Sequence, residues 1–407
     1  MTSSGVLPRQ ALRSLVAAGA ISSPQGVPER NLQPASVDLT LGAVAYRLRC
    51  SFLPGSFPVE RKLRDYQMGS LDLTDGAVLE QNRPYLIPLN ERLRLPAGVR
   101  GRTNPRSSTG RIDVFTRVVT DFGQHFDEVK EGYEGGLYLE VVPRSFTIKV
   151  KAGLTLNQLR LTNGAARLSD AELIELGATD PIVYPGGSEY PDERAVVSDG
   201  LFLSVDLSGE GRRFAGYKAR KSSALLDLQR TGYYNVRDFF ERVEPRGGRL
   251  ILDPEDFYLL VSRERVRIPP DYAAEMAAYD PTSGELRTHY AGFFDPGFGD
   301  VPAGERAGTP AVLEVRAHDV PFALEHGQRL CRLTFERMAE RPEAAYGSAI
   351  GSRYQRQYLA LGRQFKPDES AARSPARPKT TEAQPLPLQS WAGDDVDLPP
   401  LAVAPRE

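Results

Sequence analysis

The chain has 407 residues, 41% of them hydrophobic, enough to build two cores of ordinary size. Its 51 basic and 53 acidic side chains leave a formal charge of −2, which argues against a general nucleic-acid binder. No apolar run approaches the roughly 20 residues that span a bilayer, and the start, Met1-Thr2-Ser3-Ser4-Gly5, carries no basic and apolar leader; a cytoplasmic protein without a membrane partner is expected.

Residues Pro8 to Ala20 read as a short helix, with Leu12, Leu15 and Val16 on one face and Gly19 near its end. From Ala35 the texture changes to alternating runs such as Val37-Asp38-Leu39-Thr40-Leu41, Tyr85-Leu86-Ile87-Pro88-Leu89 and Phe146-Thr147-Ile148-Lys149-Val150, separated by Gly, Pro and Asn. This is a mainly β pattern with tight turns, suited to a compact barrel or jelly roll. Ser169-Asp170-Ala171-Glu172 has capping-box spacing ahead of Leu173, Ile174 and Leu176, predicting a short connecting helix. From Pro367 to Glu407 there are eight prolines in 41 residues and little apolar periodicity, so this tail is expected to be disordered. The only tryptophan, Trp391, lies in it beside Asp394, Asp395 and Asp397.

The chain also repeats itself. Pro84-Tyr85-Leu86-Ile87 leading to Arg92, Arg94 and Pro96 matches Phe257-Tyr258-Leu259-Leu260 leading to Arg265, Arg267 and Pro269 at a shift of 173 (257 less 84). Tyr138-Leu139-Glu140-Val141 matches Val312-Leu313-Glu314-Val315 at 174 (312 less 138), as Gly153, Leu156 and Leu159 match Gly327, Leu330 and Leu333. Ser36-Val37-Asp38-Leu39 against Ser204-Val205-Asp206-Leu207 extends the match at 168 (204 less 36). Two repeats are too few for a solenoid, so the reading is a duplicated domain: copy one at 1–165, a connecting segment at 166–198, copy two at 199–366 and the tail at 367–407. Cys50 and Cys331 belong to no Cys-x-x-Cys pair and read as free buried thiols.

The copies share chemistry unequally. Arg106-Ser107-Ser108-Thr109-Gly110-Arg111 gathers two guanidinium groups, three hydroxyls and a flexible backbone, a set able to grip a polyphosphate. Alone, such a turn is more often solvated surface. The corresponding stretch of copy two, Tyr279-Asp280-Pro281-Thr282-Ser283-Gly284-Glu285, has lost both arginines and gained acids, and that reversal favours a phosphate role for the first loop. Glu140 and Glu314 each sit within an apolar strand; an outward-facing acid is the commoner case, but a carboxylate facing a desolvated pocket can shuttle protons near neutral pH.

Together these stretches resemble deoxycytidine triphosphate deaminase, within the deoxyuridine triphosphatase-like superfamily, in a duplicated form. The resemblance runs to about residue 366 on Gly5-Val6-Leu7-Pro8, Gln33 to Gly42, the Arg106 to Arg111 loop and Gly132-Tyr133-Glu134-Gly135 running into Leu139-Glu140. It implies two tandem β-barrel/jelly-roll domains of the dUTPase-like kind and a substrate, dCTP. It assigns the triphosphate, reacting water and base to Arg106, Ser107, Ser108 and Arg111, and the sugar to Asp127 in copy one and Asp295 in copy two. Tyr138 joins the substrate contacts, and the general acid and base is Glu140 or Glu314. A closing C-terminal segment matches Tyr346, Arg353 and Gln357, with Arg in place of the family's Lys.

Copy one owns the loop, but about three extra residues stretch its turn from Asp127 to Gly132; copy two has the regular Asp295 to Gly299 turn, followed by an insertion of roughly nine residues within Asp300 to Pro310. Sites of the superfamily form between neighbouring subunits of a trimer, so a homotrimer or a multiple of it is implied. Rings of like copies would pair the loop with Glu140 and mixed rings with Glu314; the simpler symmetry favours Glu140. The implied reaction adds water at C4 of cytosine and expels ammonia, giving dUTP for thymidylate synthesis. The chain lacks the His-x-Glu and Pro-Cys-x-x-Cys set of zinc deaminases, so no zinc and no protein-held metal is expected. Magnesium would enter with the triphosphate, and dTTP is a possible feedback inhibitor. The rivals are a bifunctional enzyme that also hydrolyses dUTP, to which Tyr133 in place of the deaminase tryptophan points, and a non-catalytic nucleotide sensor.

Overall fold

The structure, a computed structural model, describes residues 3–186, 194–209, 214–278, 286–288, 292–300, 307–317, 319–347, 354–355, 358–368 and 384–391. It is mainly β, with two copies of one sandwich-like arrangement. In copy one, strands Tyr85–Arg94, Glu134–Pro143 and Val114–Thr120 form the centre of one sheet, flanked by Val44–Leu48 and Gln67–Asp72. The facing sheet holds Val37–Thr40, Thr155–Asn163 and Val99–Pro105. Alternation along these strands turns Leu39, Ile87, Leu139, Val141 and Leu159 into a shared core, all fully buried. Copy two repeats the plan with Phe257–Val266 and Thr309–Ala317 facing Leu201–Ser204, Tyr272–Ala278 and Arg329–Arg337.

Strand register verifies the repeat and corrects one part of it. Glu140 lies opposite Leu86 and Glu314 opposite Leu259, as shifts of 174 and 173 require. Val37, however, pairs with Leu159, and Leu201 with Leu333. The structural counterpart of Val37 is therefore Leu201, a shift of 164 (201 less 37), and the Ser-Val-Asp-Leu identity at 168 is a coincidence four residues out of register. Asp38 thus corresponds to Phe202.

The first helix spans Arg9–Ala17, shorter than the Pro8 to Ala20 expectation, because Pro8 is its extended N-cap and Gly19 takes a left-handed φ of 72°. The connecting helix Asp170–Thr179 has the full capping box, with Ser169 accepting from the Glu172 amide and the Glu172 carboxylate accepting from the Ser169 amide at 2.7 Å. Cys331 is buried, but Cys50 is exposed, so the expectation of two buried thiols holds for one. The tail also departs from expectation over 384–391: Leu388–Ser390 pairs in parallel with Ala195–Val197 at the edge of a copy-two sheet.

The copies are joined by an apolar seam. Phe146 of copy one meets Phe239 and Phe240 edge-on, both at 5.4 Å, and Phe365 packs on the same two rings at 5.5 and 5.4 Å. Such pairs each contribute about 0.5–1.5 kcal/mol beyond the area they bury. One loop of copy two crosses the seam, adding Leu226–Asp227 in parallel to strand Ile148–Val150 of copy one. The corresponding loop of copy one, residues 49–66, stays at home and carries helix Val59–Tyr66.

Candidate active site

The Arg106 to Arg111 loop leaves the end of strand Val99–Pro105 and closes into a single helical turn, Ser107–Gly110, with Arg106 as its extended N-cap. Arg106 is steered by copy one: its guanidinium pairs with Asp38 Oδ2 at 2.9 Å and donates to Thr155 Oγ1. Asp38 is nearly inaccessible, and Gln33 also donates to its Oδ2 at 3.2 Å. Burial raises the Asp38 carboxyl to about 6 in spite of Arg106, which pulls it down. Arg111 is buried, donates to the Ala360 carbonyl at 2.6 Å, and lies 3.8 Å from the centre of the Tyr354 ring. Phe365, pinned in the aromatic seam, anchors residues 358–363 beside the loop.

The carboxylate that faces this loop belongs to the other copy. Val312, Glu314 and Arg316 alternate along strand Thr309–Ala317 and turn towards copy one; Val312 packs against the copy-one core, and Arg316 forms a buried ion pair with Asp113, just beyond the loop. Between them Glu314 rests on Gly110, where a Cβ would stand 2.6 Å from Glu314 Oε1, so only glycine leaves the carboxylate its place. Burial pushes the Glu314 carboxyl up to about 8; Arg111 opposes that rise and Asp113 adds to it.

Asp295 lines the same cleft from copy two, raised to about 6 by burial against the pull of Arg160 and Arg106. Its hairpin is held by Arg160 of copy one, which donates to the carbonyls of Ala274 at 2.9 Å and Phe294 at 3.2 Å. Asp38 Oδ1 and Asp295 Oδ1 are both buried without a hydrogen-bond partner, an arrangement that costs free energy unless a ligand or water completes it. Tyr346 closes the cleft, its hydroxyl pushed well above the ordinary tyrosine range by burial.

Glu140 is elsewhere and otherwise engaged. Arg117 stands directly opposite it on the neighbouring strand and donates to it through Nε at 3.1 Å; Ser51 donates to its other oxygen at 2.5 Å. Phe126 covers Arg117 at 3.6 Å, and Val59, Leu63 and Phe52 of the 49–66 loop pack over that face. Within this chain the loop meets Glu314 and not Glu140, the glutamate the symmetry argument favoured, and copy one's own 49–66 loop caps the face that carries Glu140. Asp127 and Tyr138 are likewise outside the cleft. Asp127 accepts from Thr103 at 2.6 Å and the Val118 amide at 2.8 Å, and Tyr138 packs within the cap. Of the assigned residues, Arg106, Ser107, Ser108, Arg111, Asp295, Glu314 and Tyr346 converge. Arg353 and Gln357 lie outside the described residues, as does the 279–285 counterpart of the loop.

The sequence reading gave no role to Asp38, Gly110, Tyr354 or Arg363, all in the cleft. Asp38 had a visible signal, an acid within an alternating strand; Arg160, which acts across the seam, had none.

Fold and cleft define a β protein that sets a loop of arginines and hydroxyls against a protonatable carboxyl. Comparison with known proteins gives that class a family. The sequence profiles of 2′-deoxycytidine 5′-triphosphate deaminase match in tandem, the N-terminal domain over residues 3–165 and the C-terminal domain over 169–365. The chain belongs to this family, enzymes that act on dCTP and whose general chemistry is nucleotide deamination. Among curated relatives, the dCTP deaminase of Halorubrum lacusprofundi is 33% identical over 195 residues, 47% of this chain and 86% of its own length. A dUMP-forming dCTP deaminase of Dictyoglomus turgidum is 29% identical over 157 residues, 38% of this chain and 74% of its own. The crystal structure of 2′-deoxycytidine 5′-triphosphate deaminase from Agrobacterium tumefaciens aligns with a TM-score of 0.78 at 46% identity, covering 84% of this chain and 100% of that one.

Proposed function

We propose that the chain deaminates dCTP to dUTP and ammonia, with Glu314 as general acid and base and the Arg106 to Arg111 loop as triphosphate clamp. The observation that carries this reading is the seating of a carboxyl raised to about 8 on Gly110 of that loop. Such a group holds its proton near neutral pH yet can release it, as acid-base chemistry there needs. In the proposed reaction the ionised fraction of Glu314 takes a proton from water as the oxygen adds to C4 and delivers it to N3. A further transfer lets the C4–N4 bond break, with the C4 oxygen becoming the uracil carbonyl and nitrogen leaving as ammonia. Arg106 and Ser107 hold phosphate oxygens; Arg111 and Ser108 hold water and base; Asp295 holds the sugar.

Magnesium, if it accompanies the triphosphate, would supply charge neutralisation at the phosphates beside the Arg106 to Arg111 loop. Asp38 Oδ1, buried without a hydrogen-bond partner, would be an acceptor for water around it. Zinc is left out of the proposal because the sequence lacks a zinc-deaminase ligand set. The cleft is only about 200 Å³ as it stands, below the roughly 300–1,000 Å³ of typical ligand sites. On this reading Tyr354 and Ala360, which cover Arg111, move aside as substrate enters.

A second reading, in which dUTP is carried on to dUMP, draws support from the relatives named dUMP-forming. One assay separates the two: purified protein, dCTP and magnesium, with ammonia and nucleotides followed together. Ammonia with dUTP supports deamination alone, and ammonia with dUMP and pyrophosphate the bifunctional enzyme. Nucleotide binding without ammonia overturns both.

A further inference from the structure

The seam carries a second fastening beside the Glu314 seat. Asp113, just beyond the loop, donates its amide to the Gly110 carbonyl at 2.8 Å. Its carboxylate accepts from Ser145 at 2.5 Å and from Arg316 of copy two, and both members of that ion pair are nearly inaccessible. Arg316 also donates to the Glu255 carbonyl and stands 3.8 Å from the Glu255 carboxylate, which Arg144 of copy one binds at 2.7 Å.

These contacts close a circuit. Gly110 seats Glu314, the Asp113 amide is bonded to Gly110, the Asp113 carboxylate holds Arg316, and Arg316 lies two residues beyond Glu314 on the same face of its strand. The copies are therefore fastened twice along one strand, at points roughly 7 Å apart. One fastening alone would leave the strand free to pivot about it; two fix its direction as well as its place.

The turns that supply the two acids are strained. Asp113 has a φ of 54° and Glu255 a φ of 60°, in the left-handed region that favours glycine, and such residues persist where surrounding contacts over-determine them. Asn82 is the counterpart of Glu255 at a shift of 173 (255 less 82): each donates its amide to the matching strand carbonyl, that of Pro143 or of Ala317. The counterpart of Arg316 is Val142, at 174 (316 less 142). The arginine and the second acid thus occur together in the copy whose glutamate meets the loop.

We propose that Arg316 and Asp113 are positioning residues for the deamination: their ion pair holds the strand of Glu314 against the Arg106 to Arg111 loop, so that its carboxyl is presented to the reacting atoms. This rests on the reading of Glu314 as general acid and base. Neither residue is among the side chains that line the cleft, so each acts through Glu314 and not on substrate. Loss of the pair therefore lowers kcat and leaves KM, set where Arg106 meets the phosphates, nearly as it was.

The pH profile separates this role from a merely structural one. Burial lifts the Glu314 carboxyl, Arg111 lowers it and Asp113 raises it further; Arg106, Arg363, Asp38, Asp295, Tyr346 and Tyr354, which line the rest of the cleft, are the same in every variant of the pair. Protonated Glu314 takes no proton from water, so kcat rises with pH as the carboxyl ionises. Asp113→Asn removes an anion and should move that limb to lower pH. Arg316→Gln leaves Asp113 without its cation and should move the limb to higher pH. General loosening of the seam would admit water and move both limbs down, towards the ordinary carboxylate range.

The test measures kcat and KM for dCTP against pH in full-length Asp113→Asn, Arg316→Gln and Glu314→Gln proteins. Each substitution in the pair should lower kcat at least about tenfold, on the low side of the ~100-fold that misplacement by an ångström costs, with KM within about threefold. Where a single variant fails to fold, Asp113→Gly combined with Arg316→Met carries the test: glycine relieves the left-handed turn, apolar replacement of a buried ion pair is tolerated, and kcat should still fall about tenfold. Parental kcat in the folded double variant, a loss carried by KM alone, or limbs that move in the same direction overturn the positioning role, and a large loss in Glu314→Gln then leaves the catalytic reading standing. Parental activity in Glu314→Gln overturns that reading and this proposal with it.

Discussion

Gly110 and Glu314 lie 204 positions apart (314 less 110) on different copies of the repeat, yet a single methyl group on the first would overlap the carboxylate of the second. The loop proposed to grip phosphate and the carboxyl proposed to move protons are thus fitted to each other inside one chain. Gly110→Ala tests that fit. Its obstacle is the far end of a flexible side chain, so the fold should tolerate the substitution while the carboxylate is displaced by about an ångström. Misplacement of that order costs about 100-fold in rate; kcat is expected to fall ten- to a hundredfold with the melting temperature nearly unchanged.

The two strand glutamates should respond with opposite signs. Glu314→Gln is expected to lower kcat by about 100-fold or more and to stabilise the protein. The Glu314 carboxyl is raised from 4.5 to about 8 by burial, so the folded chain holds a proton that the unfolded chain releases. Its contribution is fully present below about pH 4.5 and is lost as pH rises through about 8. The stability advantage of Glu314→Gln over the parent should therefore grow across that window and level off above it. Glu140→Gln leaves Arg117 beneath the cap without its charge partner, and should cost about 1–3 kcal/mol with little change in kcat. Thermal melts at pH 5, 7 and 9 with steady-state kinetics distinguish the pair. A large kcat loss in Glu140→Gln alone would return the catalytic role to copy one.

Much of this arrangement was legible in the sequence, for identifiable reasons. The repeat could be read because a constant shift preserves strand register, and the Arg106 to Arg111 loop as part of the cleft because its counterpart reversed charge. The choice between glutamates could not. Their local sequences are alike, and what separates them is non-local: Arg117 on a neighbouring strand, Ser51 with the 49–66 cap, and the Gly110 seat across the seam. Aligned identities also misled at 36–39, where a four-residue repeat matched in letters but not in pairing. The tail strand at 388–390 was hidden by prolines on either side of Leu386, which look disordered but suit an edge-docking segment.

Asp38 offers a test of how the clamp is held. It touches Arg106 in the cleft, so Asp38→Asn should loosen the guanidinium and raise KM for dCTP about tenfold, with a smaller effect on kcat. The same substitution should leave the KM of a substrate without phosphates unaltered, since Arg106 then has nothing to grip. An equal loss for deoxycytidine and dCTP would place Asp38 in the general fold instead of the clamp.

The last prediction concerns how many chains a site needs. Here Arg106 and Glu314 line one cleft of one chain, whereas the family resemblance leads one to expect neighbouring subunits to share each site. Mixing separately purified Arg106→Ala and Glu314→Gln chains distinguishes the two, with refolding together as a second arm. If loop and carboxylate came from different chains, some mixed sites would regain both parent groups, and up to about a quarter of parental activity would return by random pairing. With the site in one chain, every cleft carries one defect or the other, and activity should remain at the level of the single variants in both arms. The packing supplies the physical reason: Glu140 is engaged by Ser51 and Arg117 beneath helix Val59–Tyr66, so a loop from another chain would have to displace that cap, while Glu314 is already seated on Gly110 of its own chain.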